Sequence, residues 1–472
     1  MYGRAHRIHL IGIGGSGMSG IAEVLLNLGY EVSGSDLKSS DVTDRILENG
    51  GRVFTGHAAE NVEGADVVVY SSAVQQDNPE MVGARAAGIP VIARADMLAE
   101  LMRMKYGVAV GGSHGKTTTT SMVASVLSRG GLDPTIVVGG RLRAVGSNAV
   151  LGRGRFLVAE ADESDGSFLR LAPAVTIITN IDREHLDHYK DLDEIRHAFL
   201  YFANRVPFYG VSVLCADDAN VRAILPRVTK RTTLYGTVAE AAVQAQDIAL
   251  TPHGSRFIVH WKGRALGPVE LSVPGRHNVL NALAAVAVGL ELEVGFGHIV
   301  AALAEFRGVG RRFETRGEVG GVRVVDDYGH HPTEVAATLA AARTLGGRVL
   351  VLFQPHRYSR TAALREEFGS CFADADQVWV LDVYPAGEKP LPGITGATVV
   401  DSAVAQGARH VHYTPAGAQA LAAIAAAVRP GDTVITLGAG DVGKLGDALL
   451  EKLREKVTAR GFGVGQSQEG SR

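Results

Sequence analysis

Lys116 and Thr117 follow a glycine-bearing turn, 111–115, in the stretch VAVGGSHGKTTTT at 108–120. Residues 108–110 read as a short buried strand, and Met122, Val123, Val126 and Leu127 recur at helical spacing. Strand, glycine turn, lysine with a hydroxyl residue, then helix is an arrangement that holds a nucleoside triphosphate. Backbone N–H groups and the helix N-terminus cradle phosphates, the ammonium reaches the outer ones, and the hydroxyl reaches a magnesium ion. The strict pattern puts a glycine at 110; Val110 stands there, so the loop is one residue tighter. Gly112, Ser113, His114, Gly115, Lys116, Thr117 and Thr118 are the candidate nucleotide residues.

Other groups capable of chemistry recur after strand-like runs. GIGGSG at 12–17 opens a helix, and Asp36 follows about 20 residues later, the spacing of a dinucleotide fingerprint. Gly14 would let backbone approach a diphosphate and Asp36 could bind a ribose hydroxyl. The pattern reads the diphosphate of a nucleotide without saying which, NAD or a UDP-sugar. EADESDGSF at 160–168 clusters carboxylates at a strand end, hard oxygen ligands of the kind that suit Mg²⁺. TNIDREHLDHY at 179–189 crowds Asp182, Glu184, His185, Asp187 and His188 into one loop, favouring a metal or phosphate role. Asn278 and Asn281, in RHNVLNALAA at 276–285, share a helix face. Their amides suit the edge of adenine, although Asn278 could equally cap the helix. VVDDYGHHPTE at 324–334 runs from a strand into two Asp, a Tyr and two His. FQPHRYSR at 353–360 offers His356, Arg357 and Arg360, with guanidinium forks suited to carboxylate and phosphate. LGAGDVG at 437–443 is a glycine turn after the final strand.

The elements that must carry these groups alternate. Strands are expected at 8–13, 31–35, 67–70 and 91–93, with Met18, Ile21, Leu25 and Leu28 at helical spacing. That alternation implies a parallel sheet with crossover helices. A second unit is expected to use strands at 108–110, 156–159, 175–179 and 211–214, then short antiparallel strands over 246–273 with turns at 252–254 and near Gly263. A third starts near Arg311, with strands at 322–325, 349–353, 378–381 and 434–437. The chain is 472 residues long, 46% apolar and 21% charged, which suggests about three α/β domains. A net charge of −3 offers no basic surface for nucleic acid. Two cysteines, Cys215 and Cys371, give neither a disulfide framework nor zinc spacing and fit a reducing compartment. The N-terminus reads as a first strand and not a signal peptide. The Ala-rich stretch 415–428 is too short and too weakly apolar to span a bilayer. Residues 459–472 read as a disordered tail.

Taken in order over nearly the whole chain, GGSHGKTTTT, EADESDGSF, NIDREHLDHY, HNVLNA, DDYGHHPTE and FQPHRYSR resemble the Mur ligases, the ATP-dependent amide ligases of bacterial peptidoglycan synthesis. The resemblance implies a Rossmann-like UDP-sugar domain at 1–105, a central ATP-binding domain at 106–309 of mostly parallel sheet with a small antiparallel sheet, and a Rossmann-like amino-acid-delivering domain at 310–458. It implies a cytoplasmic enzyme using ATP and two Mg²⁺ ions. The substrates it implies are UDP-N-acetylmuramate and L-alanine, or, in a related recycling branch, a murein tripeptide. Ser164 and DDYGHHP favour alanine. By motif position, Lys116 would hold the outer phosphates and Thr117 the first Mg²⁺; Glu160 and His185 would bind the second, with Glu163 as the other candidate. His277, Asn278 and Asn281 would face adenine, and Arg312 would reach ATP. Tyr328, His330, Arg357 and Arg360 would border the alanine and acyl-phosphate site. Gly14, Gly15, Ser16 and Gly17, with Asp36 and Ser71, would hold UDP. Three substrates from three domains would imply closure before chemistry. Several relatives carry a carbamoylated lysine beyond the DREH loop, and the corresponding 201–209 has none; the alanine-adding branch also lacks it. An NAD oxidoreductase would leave the Lys116 loop unexplained, and an ATPase doing mechanical work would turn ATP over without the sugar nucleotide.

Overall fold

A computed structural model describes residues 5–71, 73–138 and 149–462. Three sheets form. The first contains β1 (Arg7–Ile11), β2 (Glu31–Asp36), β3 (Arg52–Thr55), β4 (Val67–Tyr70) and β5 (Val91–Ala93), in the order β3-β2-β1-β4-β5. All its pairs are parallel. The chain reverses direction across the sheet between β1 and β4, so the crevice beyond their C-terminal ends is where an open α/β sheet binds ligand. β1 ends at Ile11, two residues before the expected limit, because Gly12 turns the chain with φ +78°.

The second sheet has ten strands: β6 (Tyr106–Gly111), β7 (Thr135–Val137), β8 (Ala149–Val150), β9 (Phe156–Glu160), β10 (Val175–Ile178), β11 (Val211–Cys215), β12 (Thr232–Gly236), β13 (Val243–Thr251), β14 (Gly254–Trp261) and β15 (Arg264–Leu271). The order is β15-β14-β13-β12-β11-β10-β6-β9-β7-β8, so β6 lies between β10 and β9. The strands expected over 246–273 join this sheet through β12, which pairs parallel with β13. The turn between β14 and β15 has Lys262 at φ +49° and Gly263 at φ +79°, the primed geometry that matches strand twist.

The third sheet contains β16 (Glu314–Val319), β17 (Val322–Asp327), β18 (Val349–Phe353), β19 (Gln377–Val380), β20 (Val411–Tyr413) and β21 (Thr433–Leu437), in the order β16-β17-β21-β18-β19-β20. Only β16–β17 is antiparallel. The period-2 alternation of side chains splits its apolar residues cleanly. Val349, Val351 and Phe353 join Val335 and Leu339 of the helix Pro332–Arg343 on one face. Leu350 and Leu352 join Leu449, Leu450 and Leu453 of the helix Gly443–Phe462 on the other.

By packing, the chain forms two compact units: Met1–Ile248 with Phe257–Leu271 and Val279–Val309, and Ala249–Arg256 with Ser272–Asn278 and Gly310–Arg472. A continuous apolar core in the first runs from Ile8 and Leu10 through Met97 and Met102 to Phe168, Phe199 and Phe202. The helix Gly443–Phe462 enters the stretch expected as a tail, and 463–472 lie outside the described residues. Within the Ala-rich stretch 415–428 the helix Gly417–Ala427 forms. Among the described residues no helix is long and apolar enough to cross a membrane.

Candidate active site

The phosphate-type loop leaves the end of β6 and enters the helix Lys116–Arg129. Gly112 (φ +129°) and Gly115 (φ +81°) hold backbone geometry that disfavours side chains. Space excludes them as well: a Cβ on Gly112 would run into Thr179 Oγ1, and one on Gly115 would lie 2.8 Å from Asn281 Oδ1. The loop is pinned from β10's end. His114 N donates to Asn180 Oδ1 (2.8 Å), Thr179 Oγ1 donates to the His114 carbonyl (2.6 Å), and Asp182 N donates to Ser113 Oγ (2.8 Å). The helix start has no side-chain cap and no acidic residue in its first turn, so its positive end stays available to an anion. Thr117 and Thr118 occupy that first turn, Thr118 buried and Thr117 half-buried.

Lys116 is folded over this loop. Its Nζ donates to the carbonyls of Gly112 (2.7 Å) and Ser113 (3.1 Å) and to Glu163 Oε1 (2.8 Å). Burial works against its charge, but Glu163, Asp162 and Glu184 outweigh it and hold the ammonium above its ordinary range. Asp162 is held below the carboxylate range: burial opposes this, and Lys116, the Ser164 N–H and Arg94 prevail.

Adjacent strand ends β9, β6 and β10 bring the acidic and His-rich loops to Lys116. Glu163, 1% exposed, stands between Lys116 and His185: its Oε1 lies 3.5 Å from His185 Nε2, while its buried Oε2 makes no hydrogen bond. Glu160 ends β9 with its Cα paired to Val110, one residue from the loop. Of the two acidic candidates, Glu163 lies beside His185. His185 itself is held at φ +54°. Asp182 and Glu184 face His114, with Asp182 Oδ2 at 2.9 Å from Nε2 and Glu184 Oε2 at 3.8 Å from Nδ1. They brace the loop.

The GIGGSG turn sits at the C-terminal ends of β1 and β4. Gly15 precedes the helix Ser16–Asn27, whose N-terminus is also uncapped. A Cβ on Gly12 would lie 3.6 Å from the Ser71 hydroxyl, so Ser71 borders the turn. Asp36 Oδ2 accepts from Gly14 N (2.9 Å), which ties this carboxylate to the turn itself. Ser16 is described only as the first residue of its helix. Sequence reading overlooked Arg94. Its guanidinium fills the space above Gly17, where a side chain would clash with Nη1, and its Nη2 lies 3.5 Å from Asp162. A cation above a glycine turn is what a diphosphate requires.

Asn281 also touches the Lys116 helix, accepting from Thr119 Oγ1 (3.1 Å). Asn278 is the third residue of the helix Arg276–Glu291 and does not stand at its N-cap position; its Nδ2 donates to the Pro274 carbonyl (2.7 Å) and ties the helix to the preceding turn. His277 is pushed down to about 4 by burial and by Arg312, with Glu334 opposing.

In the second unit, the loops after β17, β21, β18 and β19 lie at adjacent strand ends. Arg311 and Arg312 lie over the Tyr328 ring, 5.1 and 5.3 Å from its centroid. His330 Nδ1 faces the Tyr328 carbonyl (3.1 Å) and Glu334 Oε2 (3.5 Å). A carbonyl only accepts, so Nδ1 carries a proton towards Tyr328. The His330 ring lies 5.5 Å from His356, whose Nδ1 faces Arg360 Nη1 at 3.2 Å. Arg357 begins the helix Tyr358–Ala363 at φ +68°.

Comparison with known proteins gives three family matches: "Mur ligase family, catalytic domain" over 7–106, "Mur ligase middle domain" over 110–289, and "Mur ligase, glutamate ligase domain" over 311–440. The chain is 56% identical over 457 residues to the UDP-N-acetylmuramate–L-alanine ligase of Geotalea uraniireducens, covering 96% of this chain and 99% of that protein. It is similar to the crystal structure of UDP-N-acetylmuramate-alanine ligase MurC from Thermotoga maritima, at 30% identity and TM-score 0.79, over 95% of this chain and 99% of that one. The structure of a murein peptide ligase from Psychrobacter arcticus matches at 24% identity and TM-score 0.70, over 95% of this chain and 98% of that one, and shares the fold.

Proposed function

Because this chain belongs to the Mur ligase family, we propose that it is an ATP-dependent acid–amino-acid ligase that joins L-alanine to UDP-N-acetylmuramate in peptidoglycan precursor synthesis. The observation that carries this reading is the presence in one chain of a phosphate loop holding a charged, half-buried Lys116 and of a separate strand-end cluster of His330, Arg357 and Arg360. The 56% identity to an L-alanine ligase over nearly both full lengths supports the choice of substrates. One sheet falls in each of three domains, taken as 1–105, 106–309 and 310–458. ATP and a nucleotide sugar as substrates imply work in the cytoplasm.

Carboxylate and ammonium do not condense in water at a useful level, so the carboxylate must first become an acyl donor. The muramyl carboxylate attacks the γ-phosphorus of ATP, forming an acyl phosphate and releasing ADP. Lys116 carries its positive charge throughout and would leave the loop carbonyls for the outer phosphates, where it offsets developing charge. The Gly111–Gly115 amides and uncapped helix hold the phosphates. Arg312, with His277, Asn278 and Asn281, would hold the rest of ATP. The glycine turn at 12–17, Ser71, Asp36 and Arg94 would hold UDP.

The residues around Lys116 fit a divalent cation. The Thr117 hydroxyl, Glu160 and Glu163 are hard oxygen donors, His185 adds a nitrogen, and Glu163 Oε2 is a buried carboxylate oxygen with no hydrogen bond. Thr117, Glu160 and His185, with Glu163, would hold Mg²⁺; when bound, it supplies Lewis-acid neutralisation of the phosphates. In the second step the alanine amine attacks the acyl carbon and phosphate leaves. The amine first loses a proton, and His330 Nε2 is suited to accept it. Arg357 and Arg360 would pair with the amino-acid carboxylate and the departing phosphate.

The test is phosphate release from ATP and Mg²⁺ at fixed UDP-N-acetylmuramate, with L-alanine, glycine, L-serine or the murein tripeptide as acceptor. Release that needs the sugar nucleotide and is greatest with L-alanine is the expected result. Preference for the tripeptide would reassign the acceptor, and release independent of the sugar nucleotide would overturn the whole reading.

A further inference from the structure

We infer that the loop after β19, residues 382–388 (DVYPAGE), is a positioning arm for the amino-acid site, with Tyr384 and Glu388 holding Arg357 and Arg360 in place. The inference rests on the proposed function in taking those arginines as substrate ligands.

Arg357 is a non-glycine residue at φ +68°, a conformation that persists only where the surroundings impose it. The short helix it opens has no capping side chain of its own. Glu388 supplies one from outside: its Oε2 accepts from Ser359 N (3.0 Å) and its Oε1 from Ser359 Oγ (2.5 Å). A carboxylate at a helix N-terminus satisfies otherwise orphaned N–H groups. Tyr384 holds the preceding residues. Its carbonyl accepts from Arg357 N (2.8 Å), and its N–H donates to the Pro355 carbonyl (2.8 Å), a single parallel bridge between His356 and Tyr384. The Tyr384 ring stacks on His356, centroids 5.6 Å apart and planes 10° apart. His356 in turn meets Arg360 on one side and the His330 ring on the other.

Two further features accommodate this arrangement. The turn between Tyr384 and Glu388 places Ala386 at φ +48° and Gly387 at φ +87°, with Glu388 N bonded to the Pro385 carbonyl (2.9 Å). The arm thus carries a positive-φ non-glycine residue of its own, two residues after the bridge. Gly440, in the glycine turn after β21, leaves the space the Tyr384 ring fills; a Cβ there would lie 2.7 Å from the ring and 2.5 Å from Gln354 Oε1. The LGAGDVG turn therefore contributes by keeping a wall flat for Tyr384.

The experiment compares Glu388→Gln, Tyr384→Phe, Tyr384→Ala and Gly440→Ala with wild type in the full chain, reading KM for alanine, ATP and UDP-N-acetylmuramate separately, with thermal midpoints. Glu388→Gln, which weakens a charge-assisted contact, and Gly440→Ala, which displaces the Tyr384 ring, should each raise the alanine KM about tenfold or more and leave the other two KM values within about twofold. Tyr384→Phe keeps the stack and the main-chain bridge and should behave as wild type, whereas Tyr384→Ala should match Gly440→Ala. Equal rises in all three KM values, or an unchanged alanine KM in a folded Glu388→Gln variant, would overturn the inference. If wild type itself shows no alanine dependence, the proposed function is what fails.

Discussion

Lys116 and Glu163 form a pair in which each residue protects the other from a cost. Glu163 is 1% exposed and its Oε1 takes the Lys116 ammonium at 2.8 Å. Replacing Lys116 by alanine should abolish phosphate release and strand a buried carboxylate, destabilising the fold by about 3 kcal/mol, the lower end for a broken buried pair because His185 remains nearby. Lys116→Ala combined with Glu163→Gln should recover most of that stability and none of the activity. UDP-N-acetylmuramate binding should survive in both variants. Denaturant midpoints and phosphate release, measured on the same preparations, separate the two effects; turnover by Lys116→Ala would end the phosphate assignment. The lysine was legible from its motif and Glu163 as one of two acidic candidates, whereas Arg94 was not. Arg94 stands 77 residues after Gly17 in the sequence, and nothing local to either residue announces that the guanidinium fills the space above the glycine.

Among the elements, the helix Arg276–Glu291 carries a pH dependence at its start. His277 is its second residue, where protonation would put a cation at the positive end of the helix dipole and beside Arg312. Its folded pKa near 4 lies below the ordinary histidine value of about 6.5, so the folded state disfavours the proton that the unfolded chain binds. That contribution to stability is complete above about pH 6.5 and is lost as pH falls towards 4, at no more than about 1.4 kcal/mol per pH unit. His277→Asn should flatten the stability curve in this window relative to wild type, measured by urea denaturation between pH 7 and 4.5. An unchanged slope would show that folding does not lower the His277 pKa. The strands were largely legible because parallel strands covered on both faces read as apolar runs, such as Val349–Phe353. Short edge strands, β3 and β20 among them, were missed because polar residues break their runs.

At the scale of the molecule, two compact units each carry an apolar core. Calorimetry of the full chain should resolve two transitions. UDP-N-acetylmuramate should raise the one belonging to the unit with Lys116, and Mg²⁺–ADP, whose proposed residues fall in both units, should raise both, by about 2.7 kcal/mol at a hundredfold excess over Kd. A single transition shifted by both ligands would mean that the units unfold as one.

Sequence alone determined the alternation of elements, the phosphate loop and the order of the motifs, because these depend on neighbours a few residues apart. Glycines at 112 and 115, an apolar strand before them and an amphipathic helix after them are local facts with local causes. The tertiary structure decided which motifs share a site. Sheet order placed β9, β6 and β10 side by side and so brought Glu163 and His185 to Lys116. It also put β19 beside β18 and thereby made Tyr384 and Glu388 partners of Arg357 and Ser359. Those contacts join residues tens of positions apart. Strand order selects them through packing of whole elements, and no local pattern in the chain encodes that order.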